Sequence, residues 1–316
     1  MHLLLMLLAV LFSPPLLADD AAAWLKGMSQ SLMTSNYRGV FVYQVNGRLE
    51  AMQIAHAQRP DGEHERLLSL TGSAREVIRS PEGVTCILPK RKAVMVDHNL
   101  PQSPVPTAFV DHLDKIVQHY RLSLLGTDRV AGRSCRVIAV SPRDQYRYGY
   151  RLWLTEQEHF PARLELMNPD GKVLEQMMFT DIKLVGDLPD AWLLPSLNGS
   201  QYEVIGQKTD EMTVVEGDVR WRADWLPAGF SRTHYNLHAA SANERKVEHY
   251  VYSDGLATVS VYVENLAGQV AHFTGESSMG ATNALGLTVG DHQLTVVGEV
   301  PLATIKRIAQ SMRPTE

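Results

Sequence analysis

Between Gly39 and Ile182 the chain is a train of short strand-like runs separated by hairpin-length turns. "GVFVYQV", "LEAMQIAHA", "ERLLSL", "REVIRS", "VTCILP" and "AVMVDH" come first. Asn46-Gly47, Pro60-Asp61-Gly62, Thr71-Gly72-Ser73 and Pro81-Glu82-Gly83 punctuate them. "RLSLLG", "CRVIAVS", "YGYRLWLT", "ARLELM" and "KVLEQMMFTDI" follow. So many consecutive strands with only two helical patterns argue against a βαβ enzyme. They call for an antiparallel sheet with helices on one face, an α+β fold. Such a sheet twists and curls.

One hairpin sharpens the expectation. "ARLELMNPDGKVLEQMMF" (162–179) places a turn at Asn168-Pro169-Asp170-Gly171. Its first arm alternates, with Leu164 and Leu166 on one face and Arg163 and Glu165 on the other. Its second arm carries large apolar groups on both faces, with Leu174 and Met178 opposite Val173, Met177 and Phe179. Either both faces are packed in an ordinary way, or one borders a hollow that takes a ligand or partner. Trp153, Leu164, Leu166, Met177, Met178 and Phe179 are the candidates for lining a lipid-binding hollow.

Two helices are predicted in the first part of the chain. "DDAAAWLKGMSQSLMTSNYRG" has Trp24, Leu25, Met28 and Leu32 at helical spacing, with Asp19 or Asp20 as cap. "TAFVDHLDKIVQHY" has Phe109, Leu113, Ile116 and Val117 on one stripe and Thr107 as cap, after the breaker "PQSPVP" (101–106). Before the first helix, Leu3–Phe12 is an uncharged apolar run followed by Ser13-Pro14-Pro15 and Ala18. It is too short to span a bilayer and has the shape of a cleaved export signal over 1–18, although its n-region lacks Lys and Arg; a membrane anchor is the alternative.

Strand signals fade over 186–211, which is rich in Pro, Gly and polar residues and reads as the end of one domain plus a linker, a candidate hinge. A new pattern starts near Val214. Ser253-Asp254-Gly255 turns between "VEHYVY" and "ATVSVYV", and Pro301 opens a closing helix with Leu302, Ile305 and Ile308 on one stripe. The expected organisation is 19–205 for the first domain and 206–316 for a smaller α+β domain, with the junction inside 186–215.

The chemistry in the sequence is sparse. The 316 residues are 45% hydrophobic and 21% charged with a net charge of −5, which excludes a basic nucleic-acid footprint. Phosphate-loop, dinucleotide and zincin signatures are missing, and no cofactor is expected. "GESSMG" (275–280) is one residue too long for a nucleophile elbow and lies between strand signals. His112 and His119, seven apart on the second helix, lack the convergence a metal site needs. No catalytic or metal residue is therefore expected. Cys86 and Cys135 both lie in strand-like runs. A disulfide between them stays open, with free, buried thiols favoured because two strand signals separate them.

Two basic stretches stand out. "PKRK" (89–92) concentrates Lys90, Arg91 and Lys92 at a hairpin tip. "RDQYRYGYR" (143–151) interleaves Arg143, Arg147 and Arg151 with three tyrosines. These six cations are candidates for contacting an anionic lipid headgroup or an acidic partner segment. The blander reading is a solvated turn and a half-exposed strand.

"DWLPAGF" (224–230), "YSDGLATVSVYV" (252–263), "VGEVPLATIKRIAQSM" (297–312), "REVIR" (75–79), "RYGYRLWL" (147–154) and "FPARLELMNPDGKVLEQ" (160–176) carry a resemblance over the whole chain after the signal. The chain resembles the MucB/RseB family of periplasmic regulators of the envelope-stress sigma factor. The resemblance implies a first domain like the lipoprotein carriers LolA and LolB, a curved half-barrel closed by helices, and a smaller α+β second domain. It implies a periplasmic protein without enzymatic activity. Its partner would be the periplasmic segment of a transmembrane anti-sigma factor, shielded from site-1 proteolysis and released by lipid or lipopolysaccharide fragments, with alginate synthesis downstream. A periplasmic lipoprotein or lipid carrier is the competing reading. Oligomeric state stays open.

Overall fold

The computed structural model describes residues 16–97, 113–206, 219–238 and 247–315. Two meanders share one open sheet. The first runs β1 (Asn36–Val45), β2 (Arg48–Arg59), β3 (Gly62–Ser69), β4 (Glu76–Ser80), β5 (Gly83–Leu88) and β6 (Ala93–Asp97). The second runs β7 (Tyr120–Val130), β8 (Arg133–Pro142), β9 (Gly149–Thr155), β10 (Pro161–Met167) and β11 (Val173–Val185). They join where β1 pairs antiparallel with β11, and β12 (Glu203–Gly206) adds in parallel to β6, making a 12-stranded sheet. The hairpin turn forms as expected: Asn168 Oδ1 accepts from the Lys172 N–H at 2.8 Å, and Gly171 takes a positive φ of 80°.

The inner face of this sheet is covered by α1 (Leu16–Thr34). Leu25, Met28 and Leu32 insert between Phe41, Ile54, Leu152, Leu164, Met177 and Phe179 in one closed apolar cluster. The helix begins before the expected cap, because Leu16, Leu17 and Ala18 continue it; Asp19 and Asp20 lie inside it. The second helix, α2, is described over Leu113–His119, with Ile116 buried and Val117 exposed. Thr107, Phe109, His112 and the segment 101–106 lie outside the described residues.

The outer face is covered differently in each meander. Over β2 to β6, the described part of the segment expected as linker, 186–206, is a strap. Leu188 packs on Ala55 and Ala57, with Trp192 beside them. Arg59 reaches Asp187 at 3.1 Å and Asp190 at 2.8 Å, and Arg38 lies 4.3 Å from the centre of the Trp192 ring. Buried Glu76 accepts the N–H groups of Ser196 and Leu197. The strap then becomes β12. Over β8 to β11, Trp153, Val137, Cys135, Ala162 and Met178 form a separate cluster, and the Arg163 guanidinium lies 4.2 Å from the centre of the Trp153 ring. The doubly apolar hairpin is thus packed on both sides.

Both cysteines are free. The β1–β11 junction, which no local pattern announces, puts β5 and β8 eight strand steps apart, far beyond a disulfide's reach.

The remaining strands are β13 (Trp221–Ala223), β14 (Ser231–His238), β15 (Val247–Ser253), β16 (Thr258–Asn265), β17 (Gly275–Met279), β18 (Thr282–Val289), β19 (His292–Gly298) and β20 (Met312–Pro314). Six of them form an antiparallel sheet in the order β14-β15-β16-β19-β18-β17, and β13 pairs with β20. The helix α3 (Leu302–Ser311) follows Pro301, as the sequence indicates, and buries Ile305 and Ile308 against Val259, Val261, Leu294 and Val296. "GESSMG" is β17 and the turn after it, an exposed edge strand and no strand-to-helix elbow.

Candidate functional site

The basic–aromatic segment 143–151 reaches from the loop between β8 and β9 into the second unit. Arg147 is fully buried there. Its guanidinium donates to Asp144 at 2.9 and 3.1 Å, to the Ala228 carbonyl at 2.6 Å and to Asp254. The rings of Phe230 and Tyr120 flank it at 5.2 and 5.5 Å. Asp254, also fully buried, accepts from the Tyr120 hydroxyl at 3.1 Å and from the Leu256 and Ala257 N–H groups of its own turn. A buried cation is tolerable only when hydrogen-bonded, and the four donated bonds engage four of its five N–H groups.

The tyrosines complete the junction. Tyr146 packs edge-on against Trp225 at 5.0 Å, and Arg307 of α3 lies 4.0 Å from the centre of the Trp225 ring. The Thr304 hydroxyl donates to the Tyr146 carbonyl at 2.8 Å. Tyr148 accepts from Asn283 at 2.9 Å. A second contact lies along the hairpin arms. Glu175 accepts the Ala281 N–H at 2.7 Å and the Tyr43 hydroxyl, and Gly280, at φ 62°, seats the turn between β17 and β18 against Val45 and Glu175. Burial, aided by the bond to Glu175, pushes the Tyr43 phenol well up, so it remains a donor at neutral pH.

Gly229 lies tight against the first unit. It adopts φ 85°, and a Cβ there would fall on the His119 ring. Gly229→Ala is therefore expected to cost about 1–3 kcal/mol from strain and overpacking. Gly268→Ala, at φ 81° in open space, should lose only the backbone part. Urea denaturation of the two variants checks the difference.

The sequence candidates thus scatter. Arg143 is exposed, Arg147 is the buried pin of the junction, and Arg151 lies on the outer face, 3.3 Å from Glu165. Lys90 and Arg91 stand in a single 3₁₀ turn, and Lys92 closes it at φ 49°. Among the apolar candidates, Leu164, Met177 and Phe179 are sealed under α1. Trp153 and Met178 lie on the outer face, and the Trp153 indole donates to Asp128 at 2.8 Å. Leu166 packs with Tyr148 and Ala281 at the junction.

Sequence reasoning missed Asp254, Thr304, Arg307, Asn283 and Glu175. Asp254 had been read only as a turn residue, and nothing local signals that its carboxylate meets an arginine 107 positions away.

An open groove of about 740 Å³ lies on the inner face beyond α1. Strand register places it there: Cys86 pairs with Val77, Val77 with Leu67, and Leu67 packs in the α1 cluster. Ser69 and Glu50 share that face, and Arg75, Lys90 and Arg91 rim the groove. Among the described residues no group of His, Cys, Asp and Glu has metal-binding geometry, and no helix is long and apolar enough to cross a membrane.

Comparison with known proteins matches both units. Residues 20–197 match the profile of the MucB/RseB N-terminal domain, and residues 215–313 match that of the C-terminal domain. The chain is 35% identical to the sigma factor AlgU regulatory protein MucB of Pseudomonas aeruginosa over 99% of this chain and 96% of that one. It is 26% identical to the sigma-E factor regulatory protein RseB of Escherichia coli K12, over 96% and 94%. A crystal structure of MucB in complex with MucA(peri) superposes with a TM-score of 0.73 at 31% identity, covering 94% of this chain and 100% of that one. A crystal structure of MucB gives 0.65 at 30% identity, covering 94% and 98%. Matched end to end in both units, the chain belongs to the MucB/RseB family.

Proposed function

We propose that this chain is a periplasmic negative regulator that binds the periplasmic segment of a transmembrane anti-sigma factor. One observation carries the reading: the chain is similar over nearly its whole length to a protein solved in complex with MucA(peri). Residues 1–18 serve as export signal, 19–205 form the first unit and 206–316 the second. Binding shields the anti-sigma segment from site-1 proteolysis. Lipid or lipopolysaccharide releases it, which places the envelope stress response and alginate synthesis under its control.

The energies permit such a switch. Burying an acyl chain is worth about 0.8 kcal/mol per CH₂. A dozen carbons exceed the roughly 1–3 kcal/mol of a usual coupling between sites, even after ordering costs. To reach Leu164, Met177 and Phe179, an acyl chain displaces the apolar side of α1, so lipid uptake and α1 position are linked.

A protection assay tests this. The full mature chain is mixed with the anti-sigma periplasmic segment and activated site-1 protease. Cleavage should slow at least tenfold, and lipopolysaccharide fragments should restore it. Protection that lipid leaves untouched would keep the regulator and remove the release step. Unprotected cleavage would sink the proposal.

A further inference from the structure

The groove on the inner face is used by nothing described above. Its lining carries three cations, Arg75, Lys90 and Arg91, against one carboxylate, Glu50. Glu50 is shared with Arg75 at 3.6 Å, both side chains being about half exposed. The imbalance leaves Lys90 and Arg91 facing the groove with no described acidic partner within ion-pair distance. The whole protein is acidic, at a net charge of −5, so a local excess of cations is a specific feature of this place.

We propose that this groove is a binding site for a phosphate-type oxyanion carried on a small polar body, held by Arg75, Lys90 and Arg91. Two arginines supply planar forks suited to phosphate oxygens, and Lys90 adds a mobile point charge. The volume of about 740 Å³ lies in the range of small-molecule sites and far exceeds a bare ion. Ser69, Thr71 and Ser73 bring hydroxyl groups to the lining that suit a polar body, beside the apolar Ala74 and Leu88. An extended acidic peptide fits less well. The groove lies on a sheet face, where strand ladders are already complete, so no main-chain edge is on offer. The site does not rest on the anti-sigma reading, since its occupancy is measured without that partner.

Cys86 is the built-in reporter. It lines the groove half-buried, while Cys135 is fully buried and serves as internal control. Alkylation of Cys86 in the full chain is followed with inorganic phosphate, with glucose 1-phosphate, and with phosphatidylcholine vesicles lacking or containing phosphatidylglycerol. Saturable protection of at least fivefold by glucose 1-phosphate, lost in Lys90→Glu/Arg91→Glu, is the expected result. Both substituted residues are exposed, so the fold should tolerate the change. Protection confined to anionic vesicles, and lost in the same variant, supports the site and identifies a lipid as the phosphate's carrier. Protection by net-neutral phosphatidylcholine vesicles to the same extent as by anionic ones, or protection retained in the variant, overturns the proposal, as does unchanged alkylation in every arm.

Discussion

Arg147→Met should destabilise the protein by about 3–5 kcal/mol, the usual cost of leaving one partner of a buried ion pair behind. Asp254 would stay fully buried with only the Tyr120 hydroxyl and two turn N–H groups to hold its charge. The Ala228 carbonyl would lose its donor as well. Because these groups come from both units, the loss falls on their junction. Calorimetry should show one cooperative transition in the parent and two in the variant. Adding Asp254→Asn to Arg147→Met removes the stranded charge while keeping an acceptor for the turn. The double variant should recover part of the loss, with a coupling of at least about 2 kcal/mol in a double-mutant cycle. Additive single effects would mean that the pair does not act as a unit.

The junction also explains what could be read from sequence and what could not. Turn residues and period-two patterns are local, so the strands of each meander and the hairpin at 168–171 were legible. The closing helix was legible too, from Pro301 and the spacing of Leu302, Ile305 and Ile308. The pairing of β1 with β11 joins residues more than a hundred positions apart and leaves no local trace. The same holds for the site. An interleaved Arg–Tyr segment looks alike whether it meets an external anion or, as here, an internal Asp254 and Thr304. Composition marked 186–211 as the end of a domain plus a linker because Pro, Gly and polar residues are also what a strap needs when its contacts are hydrogen bonds. Its short apolar run "EVIG" carried too little pattern to announce a parallel edge strand.

That strap makes Glu76→Gln the second large prediction, with an expected loss of about 3–5 kcal/mol. Glu76 is fully buried between Arg66 and the strap. It accepts the Arg66 Nε–H, the Ser196 N–H and hydroxyl, and the Leu197 N–H at 2.7 Å. Arg66 in turn donates to the Trp192 carbonyl at 3.2 Å and to the Ser196 hydroxyl at 2.7 Å. Gln keeps the shape but leaves Arg66 buried without its counter-charge and turns its own amide N–H₂ toward donors. Burial pushes the Glu76 carboxyl up, but the two strap N–H groups and Arg66 outweigh it and hold it below the ordinary value. A carboxyl depressed in the folded state contributes stability that is complete above its unfolded pKa of about 4.3 and is lost as pH falls through the lower folded value. The strap should therefore come free in acid in the parent and at neutral pH in the variant. Limited proteolysis reads this directly: cleavage within 193–206 should accelerate below about pH 4 in the parent and be fast at pH 7 in Glu76→Gln. The junction pinned by Arg147 lies outside this network, so hydrogen exchange of the Leu256 and Ala257 N–H groups held by Asp254 should stay slow while the strap is cut. If both respond together, strap and junction form one cooperative unit and the strap does not open by itself.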